Sequence, residues 1–173
     1  KKKDSTGICF IGERNFRNFL SQYVPSKRGE IRTLSGERVG MHQGVAYYTL
    51  GQRKGLGLGS EGEAWFVVAK DAARNLLYVE RGVMNAALYA DELWAGELSW
   101  VSGSAPVAPG GRFNCTAKAR YRQPEQPCSL EWDGEKLRVR FAVPQRALTP
   151  GQSVVFYSGD ECLGGGVIEK VDR

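Results

Sequence analysis

From residue 30 onward, apolar and polar positions alternate in short runs separated by turn residues, the pattern of half-buried strands. The stretch "EIRTLSGERVG" reads as a hairpin around Ser35-Gly36, and "GVAYYTLG" reads as a strand. In "AWFVVAKDAARNLLYVERG" two apolar runs are joined by a short polar turn. A second group of strands starts near Leu93, with "LWAGELSWV", "RFNCTAKARYR", "CSLEWDGEKLRVRF", "QSVVFY" and "CLGGGVIEK". Asp133-Gly134 between alternating runs marks a tight hairpin, and "SGSAPVAPGG" is a loop inside this group. Many short strands at turn-marked intervals predict small barrels. Ahead of them the period changes: in "GERNFRNFLSQYV", Phe16, Phe19, Leu20 and Tyr23 fall on one helical stripe that Pro25 ends. Only a turn or two around "MNAALYADEL" continues that pattern later. The expected fold is mainly β, with a short N-terminal helix, a small β-rich domain over 1–88 and an antiparallel β-barrel over 89–173.

Composition narrows the class. The chain has 173 residues, 42% of them hydrophobic, which suits one compact domain or two small ones and not a disordered chain. No apolar run approaches the ~18 residues needed to cross a bilayer, and no signal-peptide pattern is present. A reducing cytoplasm and no membrane partner are therefore expected. The chain starts on lysine inside a charged run, so it reads as a piece of something longer, with the missing part N-terminal. Residues 1–88 carry 14 Lys/Arg against 8 Asp/Glu, whereas residues 89–173 carry 10 against 11. A basic first half fits a polyanionic partner, and it fits plain solubility as well.

The candidate chemistry begins with the cysteines at 9, 115, 128 and 162. None forms a C-x-x-C pair and His42 is the only histidine, so no metal site is expected and each thiol reads first as a small buried hydrophobe. Cys9 stands apart because it lies just before the predicted helix start at Gly12-Glu13. A helix N-terminus there, with Arg14 and Arg17 nearby, favours a thiolate. His42 could serve Cys9 as a base in a cysteine hydrolase, but a structural or RNA-contacting histidine fits better. The loop "GQRKGLGLGSEG" carries Arg53 and Lys54 but lacks the spacing and the following helix of a phosphate loop. It reads as a flexible basic loop near a nucleic-acid backbone or as plain surface. In "CTAKARYRQ", a continuous strand would place Thr116, Lys118, Arg120 and Arg122 on one face, with Tyr121 and Gln123 close by, a phosphate-contacting arrangement. Arg138 and Arg140 in "KLRVRF" read as a solvated face.

The blocks "DSTGICFIGERNFRNFL", "HQGVAYYTLGQRKGLGLG", "AKARYRQPEQPC" and "LTPGQSVVFYSGDECLGGGVIE" together resemble the bacterial tRNA-specific 2-thiouridylase family, in its central and C-terminal portions. The resemblance implies a sulfurtransferase that converts the wobble uridine of tRNAs for Lys, Glu and Gln to 2-thiouridine. It implies activation of the uracil C2 oxygen with ATP, held by an N-terminal domain, and a barrel like those of translation factors. It makes Cys9 the persulfide carrier, which forms a disulfide with a second cysteine of that N-terminal domain after sulfur release. The "RY" pair and the "PGQ" glutamine of the family touch tRNA, which maps onto Arg120, Tyr121 and Gln152. Arg122, Lys118, Arg53 and Lys54 join them on physical grounds. A sulfur-relay donor protein and a monomeric state are further expectations. The alternative is a non-catalytic RNA-binding β-barrel module.

Overall fold

The computed structural model describes residues 22–24, 26–59 and 61–172. The chain divides into two compact units, Lys1–Glu80 and Arg81–Arg173. Ten strands and two single 3-10 turns make up its regular structure among the described residues, so the mainly β expectation holds. The expected N-terminal helix falls almost wholly outside the described residues, as does Cys9.

The first unit is an open sheet, not a barrel. Its strands β1 (Gly29–Arg32), β2 (Arg38–His42), β3 (Trp65–Asp71) and β4 (Leu76–Arg81) lie in the order β2-β1-β4-β3. The expected hairpin around Ser35-Gly36 joins β1 to β2, with Gly36 at φ 93, a left-handed value that glycine adopts without penalty. Strand β1 then pairs in parallel with β4, Ile31 opposite Leu77. Ile31, Val67, Leu77 and Val79 are fully buried and form the centre of this unit. Burying each such side chain contributes roughly 1.5–3 kcal/mol. The expected strand in "GVAYYTLG" does not form: Val45–Tyr47 is a 3-10 turn. The two adjacent tyrosines, Tyr47 and Tyr48, are both buried, which a strand with alternating faces cannot arrange on one side of a sheet.

The second unit is a closed barrel with strands β5 (Tyr89–Trp100), β6 (Arg112–Lys118), β7 (Gln126–Asp133), β8 (Lys136–Arg146), β9 (Ser153–Ser158) and β10 (Glu161–Asp172). Their order around the barrel is β10-β5-β8-β7-β6-β9, every pair antiparallel. Closure leaves no unpaired edge, which removes a site of aggregation. Alternation dictates the core: Leu93, Leu130, Leu137, Val139, Phe156 and Ile168 point inward and are fully buried. The glycine run of β10 is required by close approach. A Cβ on Gly164 would lie 2.2 Å from the Ser99 carbonyl oxygen, and one on Gly165 would lie 2.4 Å from that of Val154. The helical turn expected near "MNAALYADEL" is one 3-10 turn, Ala86–Leu88, capped by the Asn85 side chain.

Candidate functional site

The basic stretch after Cys115 is built differently from its expected form. Strand β6 stops at Lys118, so Arg120, Tyr121 and Arg122 lie in the turn that leads to β7, not on a common strand face with Thr116 and Lys118. The strand ends because the glutamine captures its backbone. The Ala119 N–H donates to Gln123 Oε1 at 3.2 Å, and the Gln123 N–H donates to the Arg120 carbonyl at 3.1 Å. Pro124 then offers no donor with which to continue a ladder. All three residues are exposed on this turn, Tyr121 by 75%.

A side-chain network fixes the turn to the barrel. Gln123 Nε2 donates to Gln145 Oε1 at 2.5 Å, and Gln145 Nε2 donates to the Val143 carbonyl at 2.6 Å and to Gln126 Oε1 at 3.3 Å. Gln145 is buried at the centre of this network, and the half-buried Gln123 and Gln126 meet it from either side. Beside it runs a groove of about 480 Å³ lined by Tyr89, Arg120, Arg122, Gln123, Gln145 and Arg146. Three guanidinium groups and no carboxylate line it, which suits an anion. Arg146 was not singled out from sequence. It lies on β8, distant in the chain, and only the barrel brings it to Arg120.

Arg120 also links this groove to the "TPGQ" turn. Its Nη2 donates to the Ala147 carbonyl at 3.1 Å, which also accepts from Thr149 Oγ1 at 3.0 Å. Gly151, at φ 86, and Gln152 are then bracketed to Ile168 of β10 by two backbone hydrogen bonds of 2.8 Å each. The Gln152 Oε1 atom is buried and has no hydrogen-bond partner among the described residues.

The other candidates separate cleanly. Lys118 is held by Glu125 at 3.1 Å and lies 4.9 Å from the centre of the Tyr157 ring. Arg138 and Arg140 are not simply solvated, because both clamp Glu92 of β5, at 2.7 and 2.5 Å. Burial raises the Glu92 carboxyl, but the hydrogen bonds and charge of the two arginines outweigh it and hold the group below its ordinary value. Arg53 and Lys54 are exposed on the Gly-rich loop. That loop lines a hollow of about 250 Å³ and runs into strand β3, with Leu56 buried beneath it. Among the described residues no helix N-terminus faces the hollow, so its lining does not fit an ATP triphosphate cradle.

His42 is structural. Its Nδ1 accepts from the Gly44 N–H and its Nε2 lies 3.0 Å from the Asn75 carbonyl, so the ring is neutral with the proton on Nε2. Burial lowers its pKa, against the hydrogen bond to Asn75. With both nitrogens engaged it has no lone pair to offer a cysteine. Cys115, Cys128 and Cys162 lie on strands β6, β7 and β10 and are free thiols. Cys162 departs from the buried-hydrophobe expectation: it is exposed, two residues past the Asp160 turn. Among the described residues no group of three or more His, Cys, Asp or Glu could hold a metal ion. No helix among them is long and apolar enough to cross a membrane.

Comparison with known proteins places this architecture. Residues 17–81 match the family described as tRNA methyl transferase PRC-barrel domain, and residues 90–168 match the aminomethyltransferase beta-barrel domain. Nearly the whole length of the chain is similar to proteins named tRNA-specific 2-thiouridylase MnmA. It is 56% identical to that of Exiguobacterium sibiricum over 98% of the chain, 57% to that of Geobacillus thermodenitrificans over 99%, and 53% to that of Bacillus subtilis over 98%. The chain is homologous to a portion of the tRNA-specific 2-thiouridylase family and spans about 45% of the length of these relatives.

Proposed function

We propose that the chain is the tRNA-holding and sulfur-presenting part of a tRNA-uridine 2-sulfurtransferase. The observation that carries the tRNA-holding role is the groove beside the Arg120–Arg122 turn, where Arg120, Arg122 and Arg146 converge beside the glutamine network that holds the turn to the barrel. Phosphates of a structured RNA suit such a groove, and Tyr121, three-quarters exposed on the same turn, offers a ring for a sugar or base. Gln152 adds a second contact. Its orphaned buried acceptor costs about 1–3 kcal/mol, a penalty relieved when the amide turns toward a ligand donor. Arg53 and Lys54 are exposed cations of the first unit and are proposed as backbone contacts of their own, and Lys118, held by Glu125, contributes charge beside the turn of the second unit.

Cys9 is the sulfur carrier of this reading, through the motif "STGICFIG". The terminal sulfur of its persulfide attacks the adenylated C2 of the wobble uridine in tRNAs for Lys, Glu and Gln, and the C2–O bond breaks as AMP leaves with that oxygen. A second thiol then attacks Cys9 Sγ, leaving a disulfide on the protein and the sulfur on C2. A sulfur-relay protein recharges the carrier. Activation with ATP is assigned to a portion of the relatives outside the matched residues. The enzyme acts as a monomer in the cytoplasm. A second reading, a non-catalytic RNA-binding module, fits the 173 residues taken by themselves, because the Gly-rich loop is not an ATP cradle.

Incubating the chain with unmodified tRNA, ATP and a persulfide donor tests both roles. The expected result is salt-sensitive tRNA binding with no 2-thiouridine. Product above a no-protein control would place the active site within these residues, and the absence of any tRNA binding at low salt would remove the holding role.

A further inference from the structure

Cys115 and Cys128 face each other across the β6–β7 ladder as direct partners. Their sulfurs are 3.6 Å apart, and both thiols are free. Direct antiparallel partners have Cα atoms roughly 4.5–5.5 Å apart, inside the range a disulfide spans. The sulfurs need close by only ~1.5 Å to reach bonding distance, which side-chain rotation supplies without moving the strands. The two thiols are not equivalent. Cys128 is buried in the barrel core, whereas Cys115 sits at its margin and is partly open to solvent. The hydrogen bond from Cys128 lowers the Cys115 pKa, although burial opposes it, while that same contact, burial and the neighbouring charge push Cys128 up. The segment between them, residues 116–127, contains the whole Arg120–Arg122 turn.

We propose that Cys115 and Cys128 form an oxidisable dithiol, a modification site that closes into a disulfide at the base of the basic turn on exposure to a peroxide. The Cys115 thiolate attacks one peroxide oxygen, breaking the O–O bond, releasing hydroxide and leaving a sulfenic acid. Cys128 then attacks the Cys115 sulfur, its proton and the sulfenic hydroxyl leave as water, and the S–S bond forms. Two electrons pass from the thiol pair to the peroxide, which becomes two waters. Cys128 is thus the resolving thiol, placed there by strand register. A reductant of the dithiol class reverses the bond by exchange.

The test uses the intact, reduced 173-residue chain. It is treated with graded hydrogen peroxide, blocked with N-ethylmaleimide, digested without reduction and mapped by mass spectrometry. The expected product is a Cys115–Cys128 linked peptide pair that dithiothreitol returns to free thiols. Cys128→Ser should stop the reaction at a Cys115 sulfenic acid that dimedone captures. Recovery of Cys128 as its maleimide adduct at peroxide doses that oxidise Cys162 would overturn the proposal, as would Cys115 linked mainly to Cys162 or Cys9. Absence of a dimedone adduct on Cys115 in the variant, with the wild-type link present, would overturn the order of attack. The readout is covalent, so its outcome is independent of whether the turn binds tRNA.

Discussion

Thr49–Gln52 in the first unit and Thr149–Gln152 in the second are the same turn put to different uses. Each has glycine in the third position, at φ 76 and φ 86, as a type II turn requires. Each closes by a Gln N–H to Thr carbonyl bond, and each docks on a strand through a bracket of two backbone bonds, to Val67 in one case and Ile168 in the other. The side chains then diverge. Gln52 turns inward on its own loop, accepting from the Thr49 N–H at 3.0 Å and donating to the Lys54 carbonyl at 2.9 Å. Gln152 leaves its acceptor buried and unpartnered among the described residues. A glutamine that satisfies its own turn is scaffold. The acceptor of Gln152 is left unsatisfied, and that distinction separates two residues which look alike in sequence.

The largest effect divides chemistry from grip. In the full-length sulfurtransferase, Cys9→Ser should abolish 2-thiouridine formation and leave tRNA affinity within about twofold of wild type. Thiolation at a substantial fraction of the wild-type rate would transfer the carrier role to another cysteine.

The two glutamines should respond in opposite senses. Gln52→Ala removes two surface hydrogen bonds of the turn and should lower stability by about 0.5–1.5 kcal/mol, with little change in tRNA affinity. Gln152→Ala removes an unsatisfied acceptor, so stability should hold or rise slightly while tRNA binding weakens severalfold. Denaturant melts and filter binding on the same preparations check both. Equal destabilisation with unchanged binding would make the two turns equivalent and Gln152 merely structural.

A smaller effect comes from acid. Burial depresses the His42 pKa below its ordinary 6.5, so protons bind the unfolded chain more readily, and stability falls as pH drops below that value. The Glu92 carboxyl is depressed below its ordinary 4.5 by Arg138 and Arg140, so its contribution is present above 4.5 and is lost only as pH falls further, through the folded value. The first unit should therefore soften at a higher pH than the barrel. Glu92→Gln should flatten the lower limb of the pH–stability curve, and NMR titration of His42 should report a midpoint under 6.5. A His42 midpoint at or above that value would contradict its buried, neutral assignment.

The barrel was legible wherever alternation met a turn signal. Leu137, Val139 and Phe141 against Arg138 and Arg140 describe β8 almost unaided, and Asp133-Gly134 marks its hairpin, with Gly134 at φ 63. The turn at Arg120–Arg122 was not legible as a turn. Alternation continues through "TAKARYR", and the strand is stopped by the Gln123 side chain capturing the Ala119 N–H, a contact that residue periodicity does not encode. Arg146 and the opposed cysteines were hidden for a related reason. Their partners are set by strand order and register around a closed barrel, which are tertiary facts. "GVAYYTLG" misled because aromatic residues favour strands, whereas here both tyrosines are buried around a 3-10 turn.

We propose that RNA is held at the Arg120–Arg122 turn and not by the arginines of β8 that grip Glu92. The salt dependence of tRNA binding tests it most directly, measured for the chain and for Arg120→Ala, Arg122→Ala and Arg138→Ala. Each of the first two should reduce the slope of log affinity against log salt by roughly 0.7–0.9, the signature of one lost phosphate contact. Arg138→Ala, whose guanidinium is already paired with Glu92, should leave the slope unchanged. Unchanged slopes for both turn variants, or a loss confined to Arg138→Ala, would contradict the account.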